Sequence, residues 1–271
     1  MVILLYILNI TDSLANNLYG VLCLGFIPVV GGINGLIMAK RWGFLKSAIG
    51  KAMVFLSLGL ISWGLGTYIF SGVYNFLLNI EVPYPSFADI GYILSLPLWM
   101  MGMYQLSRAT GAKYGLRSSK GKGVLLIIPV AVTLLSYYLL VVVARGISPL
   151  YSATSKSLLS FFDIGYLALG SNGLLKLFFD LAYPIGDVII LTLVTLIYGL
   201  SYRYFGGVYK KAIYLVLFGF ILMYFADFSF SYTTTLETFH PADWVDLLFT
   251  TAMFVLSMGV IMFDPKKLEV E

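Results

Sequence analysis

The sequence has only one cysteine, one histidine and few charged residues in a chain of 271 residues. The single cysteine, Cys23, excludes a disulfide framework and a thiolate metal cluster within the chain. The single histidine, His240, excludes a metal site built from several histidines and a haem held between two helical histidines. Charged residues make up 11% of the chain, whereas a soluble domain typically has about 25%. An ordinary soluble protein is therefore excluded.

Motifs for several well-known chemistries are also missing. The chain has neither a G-x-x-x-x-G-K-[ST] phosphate-binding loop nor a G-x-S-x-G nucleophile elbow. The last apolar run has no lysine for a retinal Schiff base, and no apolar run carries the regular arginines of a voltage sensor. These absences count against an enzyme without excluding one, and we name no catalytic residue. The sequence identifies neither a cofactor nor a metal.

Apolar residues dominate what is present. They make up 60% of the chain, and the mean hydropathy is +0.92. The apolar runs are about 20 residues long, which is the length that an α-helix needs to cross the hydrocarbon core of a bilayer. The sequence thus predicts an all-α integral membrane protein, a bundle of seven transmembrane helices embedded in the lipid bilayer. The predicted spans lie near 18–39, 50–75, 87–107, 123–144, 182–202, 211–232 and 241–263.

The basic residues predict an orientation for these spans. All of the 17 lysines and arginines except Arg145, Lys156 and Lys176 fall in the connections on one side of the predicted bundle or after its last span. The positive-inside rule makes that side cytoplasmic. We therefore expect a plasma-membrane protein with its amino terminus outside and its carboxyl terminus inside. This bias also accounts for the net charge of +4, so we expect no nucleic-acid partner.

Three parts of the chain lie outside the predicted spans but are not simple connections. Residues 1–17 are too short an apolar segment to cross the membrane alone, and we expect them to lie at its surface. Residues 145–181 are interrupted by serine, glycine and asparagine, which indicates an amphipathic segment on the outer surface. Residues 264–271 are expected to form a cytoplasmic tail.

Three corners in the sequence repeat one plan, in which a proline is followed by an aspartate and then by an apolar run. The corners are Pro83–Asp89, Pro184–Asp187 and Pro241–Asp243. Each corner joins a span that leaves the membrane to a span that returns. We therefore expect three proline-aspartate helical hairpins, made of spans two and three, four and five, and six and seven, preceded by a first helix.

The aspartates at these corners have two interpretations. Asp89, Asp187 and Asp243 all fit the first turn of a helix, where a carboxylate interacts with free backbone amides and with the helix dipole. Ser86, three residues before Asp89, adds the pattern of a capping box. The alternative is that the carboxylates bind a ligand or carry protons, because acids inside the hydrocarbon are costly and are therefore functional candidates.

Two further aspartates fit capping less well. Asp227 lies near the carboxyl end of span six, where the helix dipole disfavours a negative charge. Asp246 is expected past the first turn of span seven, at a depth similar to that of Asp227, and His240 lies at the mouth of the same hairpin. We consider a functional polar cluster at this place, with a structural network among Asp, Tyr and Ser as the alternative. The candidate ligand-binding residues are Asp89, Asp187, Asp227, His240, Asp243, Asp246, Tyr92, Tyr224 and Trp244.

Aromatic residues make up 16% of the chain and could either line a pocket or pack between helices. Trp99 and Trp244 are expected near the membrane interfaces, where indoles anchor helices. Trp63 and Tyr224 are expected to lie deeper, where their polar atoms need a partner or a hydrated cavity.

The order of the motifs resembles the N-terminal seven-helix membrane modules of bacterial signalling proteins, in which the module is fused to a diguanylate cyclase or a histidine kinase domain. The residues that carry the resemblance are Pro83–Asp89 with Tyr92, Ala182–Asp187, Ala226 and Asp227 with Tyr232, and Asp243 with Trp244. The resemblance covers roughly spans two to seven and implies a sensory membrane module with its output inside the cell. Only residues 264–271 follow span seven here, so we expect the module to stand alone and to signal through a separate cytoplasmic partner.

The sequence thus favours a non-enzymatic sensor or receptor-like module that binds a small molecule, an ion or a lipid in its outer half. One alternative is a small proton- or cation-coupled transporter. Another is a structural subunit of a membrane complex or an intramembrane lipid enzyme. The sequence leaves the oligomeric state open, a homo-oligomer included.

Overall fold

A computed structural model of the chain describes residues 13–143, 173–201 and 209–265, and these residues form helices joined by turns and short loops. Six of the seven long helices in this part of the chain, all but α3, are long and apolar enough to cross a membrane. The described residues therefore form an all-helical fold, and the chain is a multi-pass membrane protein. The helices are α1 (Ser13–Tyr19, Gly20–Gly25 and Phe26–Arg41 in one run), α2 (Ala48–Thr67 and Tyr68–Leu77), α3 (Phe87–Ala109), α4 (Ser119–Tyr137 and Tyr138–Val143), α5 (Gly173–Ser201), α6 (Lys210–Thr235) and α7 (Trp244–Ile261).

The bundle has two chemically distinct ends. We call the end at which α3 begins at Phe87 and α7 begins at Trp244 the acidic end. The other end, where α1 ends at Arg41 and α4 begins at Ser119, is called the basic end. The helices share these ends because consecutive members of the bundle run in opposite directions.

Hydrogen bonds between helices fix this alignment. At the acidic end, Tyr183 of α5 donates to Asp89 of α3. At the basic end, the Trp42 indole that follows α1 donates to the backbone oxygen of Phe263, just beyond α7. Neighbouring helices contact each other in the order α1, α2, α3, α5, α6, α7 and back to α1. Helix α4 lies outside this ring, against α5 and α6.

Side-chain caps and close glycine contacts explain where the helices start and how tightly they pack. Serines cap α2, α3 and α4, and the Ser47 hydroxyl, for example, accepts from the amide of Gly50 at 2.9 Å. Helices α2 and α3 approach closely where Gly66 faces Gly91, since a Cβ at Gly91 would lie 2.6 Å from the Gly66 nitrogen. Small residues commonly allow such contact between membrane helices.

The basic half of the bundle is filled by large apolar side chains. The most deeply buried of them all lie between the middle of the bundle and the basic end, and we call this set the apolar plug. It consists of Met53, Leu56, Leu60, Trp99, Met103, Leu106, Val194, Ile197, Val216, Phe220, Met253 and Leu256. Within the plug, the rings of Trp99 and Phe220 contact each other, with centroids 5.5 Å apart in an edge-to-face arrangement.

The structure corrects the predicted start of the fifth span. Helix α5 begins at Gly173 and contains Pro184 in its interior, so the predicted start near residue 182 is wrong. Pro184 does not mark the start of a helix here because membrane helices tolerate an internal proline. Of the predicted surface segment 145–181, residues 173–181 belong to α5, and the remainder lies outside the described residues. Of the predicted surface segment 1–17, residues 13–17 belong to α1, so that boundary is wrong. Residues 1–12 and 266–271 lie outside the described residues.

Candidate functional site

A cavity of about 630 Å³ occupies the acidic half of the bundle. All six helices of the ring line it, and its mouth at the acidic end is bordered by the loop residues Pro83 and Pro241. Its floor includes Leu96 and Trp99, and Trp99 is the member of the apolar plug that lines the cavity. A space of this size is typical of sites for small organic molecules.

Four aspartates from four different helices line this cavity. They are Asp89 of α3, Asp187 of α5, Asp227 of α6 and Asp246 of α7. Asp180 of α5 lies nearer to the mouth, where it accepts a hydrogen bond from the Tyr84 hydroxyl at 2.8 Å. Among the described residues that line the cavity, there is no lysine, arginine or histidine. The cavity therefore presents carboxyl groups to any ligand without a basic side chain to neutralise them.

Asp89 has a structural role as well as a place in the cavity wall. Its Oδ2 accepts a hydrogen bond from the Ser86 amide at 2.7 Å, and the Ser86 hydroxyl accepts from the Ala88 amide at 3.2 Å. The predicted capping box is therefore confirmed. The Oδ1 atom of Asp89 accepts a 2.7 Å hydrogen bond from the Tyr183 hydroxyl. Asp89 thus has fixed partners on both oxygens.

At the start of α7, two aspartates divide the capping between them. Asp243 is the cap of the helix and accepts from the amides of Val245 and Asp246 at 2.7 and 3.3 Å. Burial raises the pKa of the Asp243 carboxyl. Asp246 lies in the first turn and accepts from the Ala242 amide at 2.6 Å. The prediction that Asp246 lies past the first turn is therefore wrong, because α7 begins three residues later than predicted.

Asp187 and Asp227 form a carboxyl pair deep in the cavity. Their side chains are hydrogen-bonded to each other, across the interface of α5 and α6. Asp187 lies in the interior of α5, so its predicted role in the first turn of a helix is wrong. Asp227 was expected to need a partner, and its partner is Asp187. Asp227 lies eight residues before the end of α6, roughly 12 Å along the helix axis from that end.

Aromatic side chains form much of the remaining wall. The Tyr92 hydroxyl donates to the Thr67 hydroxyl at 3.3 Å. The Trp63 ring lies 5.5 Å from the Tyr92 ring and 5.9 Å from the Phe249 ring, measured between centroids. Trp99 is only 1% exposed, so its predicted place at a membrane interface is wrong. The indoles of Trp63 and Trp99 instead face the cavity.

The structure brings five of the nine predicted ligand-binding residues to the cavity, namely Asp89, Tyr92, Asp187, Asp227 and Asp246. The other four lie elsewhere. His240 is exposed, with its Nδ1 3.7 Å from Oδ2 of the buried Asp243. Trp244 is exposed on the outside of α7. Tyr224 is buried among α4, α5 and α6, where its hydroxyl donates to the Ser136 hydroxyl at 2.8 Å.

Several lining residues were missed by reasoning from the sequence, and helical spacing could have found them. Asp180, Tyr183, Pro184 and Asp187 recur at the spacing of one helix face, and all four line the cavity. This pattern becomes visible only when α5 is taken to start before residue 180. These residues were missed because the helix was not expected to continue through Pro184.

The four carboxyl groups do not form a metal cluster of the usual kind. Within the described residues, no three cysteine, histidine or acidic side chains converge closely enough to hold a metal ion. The cavity also has aromatic walls, whereas sites for small hard cations are formed by oxygen ligands. The arrangement is better suited to an organic ligand than to a bare metal ion.

The chain was compared with protein-family models, with curated proteins and with solved structures, and nothing matches it in any of the three comparisons. The fold defines a class, the all-helical multi-pass membrane proteins. A more specific function has to be inferred from the cavity, because helical bundles host many unrelated functions.

Proposed function

We propose that this chain is a receptor-like membrane module that binds a small organic cation in its cavity and passes the binding event to a separate cytoplasmic partner. The observation that carries this proposal is the composition of the cavity wall. Five aspartates, Asp180 among them, line a space of about 630 Å³ whose described lining residues include no basic side chain.

The chemistry of the wall favours a cation with an apolar body. Buried carboxylates attract positive charge strongly where water is scarce. The faces of Trp63, Tyr92 and Trp99 can add cation–π attraction and apolar contact. An anion would meet only like charge, and a neutral molecule would leave the carboxyl groups without compensation.

The apolar plug favours signalling over passage of the ligand. Below Trp99, the ring is filled by side chains that are almost completely buried. A ligand in the cavity can therefore act on the basic end only by shifting how the helices pack, which requires different affinities for two helix arrangements. The sequence motifs of bacterial sensory modules agree with this mode of action.

The proposal includes the orientation in the plasma membrane. Helix α3 would be the seventh span, because its 23 residues extend about 34 Å along the helix axis. The lysines and arginines at the basic end place that end in the cytoplasm under the positive-inside rule. The cavity would then open to the outside, and Lys113 and Arg117 would face a cytoplasmic partner.

A second candidate function is proton- or cation-coupled transport. The Asp187–Asp227 pair favours it, since hydrogen-bonded acids inside membrane helices are typical of proton relays. Transport would require a second conformation in which the plug opens toward the basic end. Uptake into proteoliposomes, which a receptor does not catalyse, distinguishes the two functions.

The proposal is tested by equilibrium dialysis of the purified protein with radiolabelled tetraphenylphosphonium, a cation with an apolar body. Triphenylphosphine oxide, a neutral molecule with similar phenyl groups, is the matched ligand control. We expect saturable binding of the cation and none of the neutral compound.

Variants connect this binding to the cavity. Asp246→Asn should weaken binding of the cation about tenfold, a loss of roughly 1.4 kcal/mol, because one carboxylate near the bound charge is removed. Asp264→Asn makes the same chemical change at the basic end, where Asp264 pairs with Arg41, and should leave binding unchanged. Equal binding of the charged and neutral compounds, or equal loss in both variants, would contradict the proposal.

A further inference from the structure

The Asp187–Asp227 pair lies in the cavity wall, and its geometry implies a specific event on ligand binding. A hydrogen bond between two carboxyl groups requires that one of them keeps its proton, because an ionised carboxylate can only accept. Two carboxyl groups in hydrogen-bond contact cannot both be ionised without a compensating charge. The pair therefore holds one proton while the cavity is empty of cations.

We infer that cation binding in the cavity releases this proton, so that the cavity exchanges one proton for one monovalent cation. This inference rests on the proposed function, because it takes the cavity to bind a cation. A cation beside the pair supplies the positive charge that the shared proton had supplied. Asp187 and Asp227 then both become carboxylates, and the net charge inside the cavity stays the same.

The described side chains around the pair include no basic residue that could accept the released proton. The proton therefore passes to the solution. Besides the pair, the titratable side chains that line the cavity are Tyr84, Asp89, Tyr92, Asp180, Tyr183 and Asp246. Tyr224 of α6 interacts with Asp187 from outside the cavity. Among these described residues there is no lysine, arginine or histidine to take up the proton. The apolar plug closes the way to the basic end, so the proton leaves through the mouth of the cavity at the acidic end.

The hydrogen-bond partners of this pair differ from those of the other carboxyl groups in the cavity. Both oxygens of Asp89 accept hydrogen bonds, from Ser86 and Tyr183. Asp246 accepts from the Ala242 amide. Asp89 and Asp246 therefore each have donors of their own, and neither needs a shared proton to form its hydrogen bonds. In the Asp187–Asp227 pair, the carboxyl groups instead share a bond with each other, and this bond is lost when the proton leaves.

The experiment measures protons released by the intact purified protein in weakly buffered detergent solution. Tetraphenylphosphonium chloride is added, bound cation is measured by dialysis, and released acid is measured with a pH indicator at a series of starting pH values. We expect a release that approaches one proton per bound cation, and a binding affinity that rises with pH.

Two variants assign the proton to the pair. Asp227→Asn replaces the acid by an amide that can still donate to Asp187, and should abolish proton release. Asp246→Asn removes a carboxylate of the same cavity outside the pair, and should keep the proton release per bound cation although binding weakens. Asp187→Asn is a second test of the pair, to be used if Asp227→Asn does not fold.

The outcomes separate this inference from the proposed function. Saturable cation binding without proton release in the unaltered protein overturns the inference and leaves the proposed function standing. Proton release that persists in a folded Asp227→Asn protein also overturns it. Absence of cation binding in the unaltered protein overturns the proposed function, and the inference with it.

Discussion

The Tyr183 hydroxyl donates a 2.7 Å hydrogen bond to Oδ1 of Asp89, which joins the interior of α5 to the first turn of α3. The other carboxylate oxygen of Asp89 caps its own helix through the Ser86 amide. The Asp89 side chain therefore caps the start of α3 and also binds α5 through Tyr183. This double role fixes the side of the cavity that carries Asp187.

Replacement of Tyr183 by phenylalanine removes only the hydroxyl from this contact. The free energy of unfolding should fall by about 1 kcal/mol, the typical net value of a hydrogen bond. Tyr104→Phe on α3 is the matched control, because Tyr104 is exposed, and should leave stability unchanged. Thermal unfolding in detergent measures both, and equal midpoints would contradict the role of Tyr183.

The close approach of α2 and α3 predicts the effect of adding one methyl group. Gly91→Ala would place Cβ 2.6 Å from the Gly66 nitrogen and 2.8 Å from the Ser62 oxygen, both backbone atoms that cannot move aside. We expect a loss of stability of about 1–3 kcal/mol. Gly123→Ala, in α4, meets no atom within 4 Å, and should be neutral or stabilising by about 0.5–1 kcal/mol. Similar midpoints for the two variants would show that the helices are not in contact.

Two serines of α2 should respond to alanine in opposite directions. The Ser57 hydroxyl is fully buried and has no hydrogen-bond partner among the described residues. Ser57→Ala should therefore stabilise the protein by about 1 kcal/mol, because an unsatisfied buried polar group is removed. The Ser62 hydroxyl donates to the Gly91 oxygen at 2.7 Å, and Ser62→Ala should destabilise it by a similar amount. The same sign for both changes would contradict these assignments.

The cap of α7 predicts both a substitution pattern and a pH dependence. Asp243→Ala removes the acceptor for two amides and should cost about 1 kcal/mol. Asp243→Asn keeps an oxygen acceptor and should be tolerated. Burial raises the pKa of Asp243 in the folded state, so the folded protein holds this proton at a higher pH than the unfolded chain does.

The sign of the pH effect follows from this difference in proton binding. The contribution of Asp243 to stability is complete below its unfolded pKa and declines as the pH rises through its folded pKa. Unfolding curves over a pH series should therefore show a shallower decline for Asp243→Asn than for the unaltered protein. Identical pH profiles would mean that Asp243 does not titrate with folding.

The orientation can be checked with introduced cysteines, because the chain has only Cys23 to remove. In a Cys23→Ala background, a cysteine at Thr238 near the acidic end and another at Lys113 near the basic end occupy exposed positions. A membrane-impermeant maleimide added to intact cells should label the first and not the second. Both should react after permeabilisation, and the reverse pattern in intact cells would invert the topology.

Much of the helical architecture was predictable because the length and the hydropathy of an apolar run identify a span. The caps were predictable where a serine precedes an acid by three residues, as Ser86 precedes Asp89. The six helices in the described part of the chain that are apolar and long enough to cross a membrane agree with this reasoning. Local sequence was sufficient here because capping and hydropathy are local properties.

The carboxyl pair could not be predicted, because its formation depends on the contact between two helices. Pro184 was interpreted as a helix start, which gave Asp187 a local role and hid its partner. Trp99 was misplaced for a similar reason, since an indole near a helix end and an indole packed against a glycine look alike in sequence. Gly59 of α2 lies directly against the Trp99 ring, a relation that only tertiary packing reveals.

The layer of packed side chains beneath Trp99 has an electrical consequence. The acidic cavity would admit water and counterions about halfway across the bilayer. The remaining half of the bundle would then carry most of the membrane potential. Each elementary charge that crosses a voltage of 100 mV exchanges about 2.3 kcal/mol. With Met103, Phe220 and Met253 packed in the basic half, most of that voltage would fall across this half of the bundle, just below the acids, and a charge that moves there would feel a stronger field.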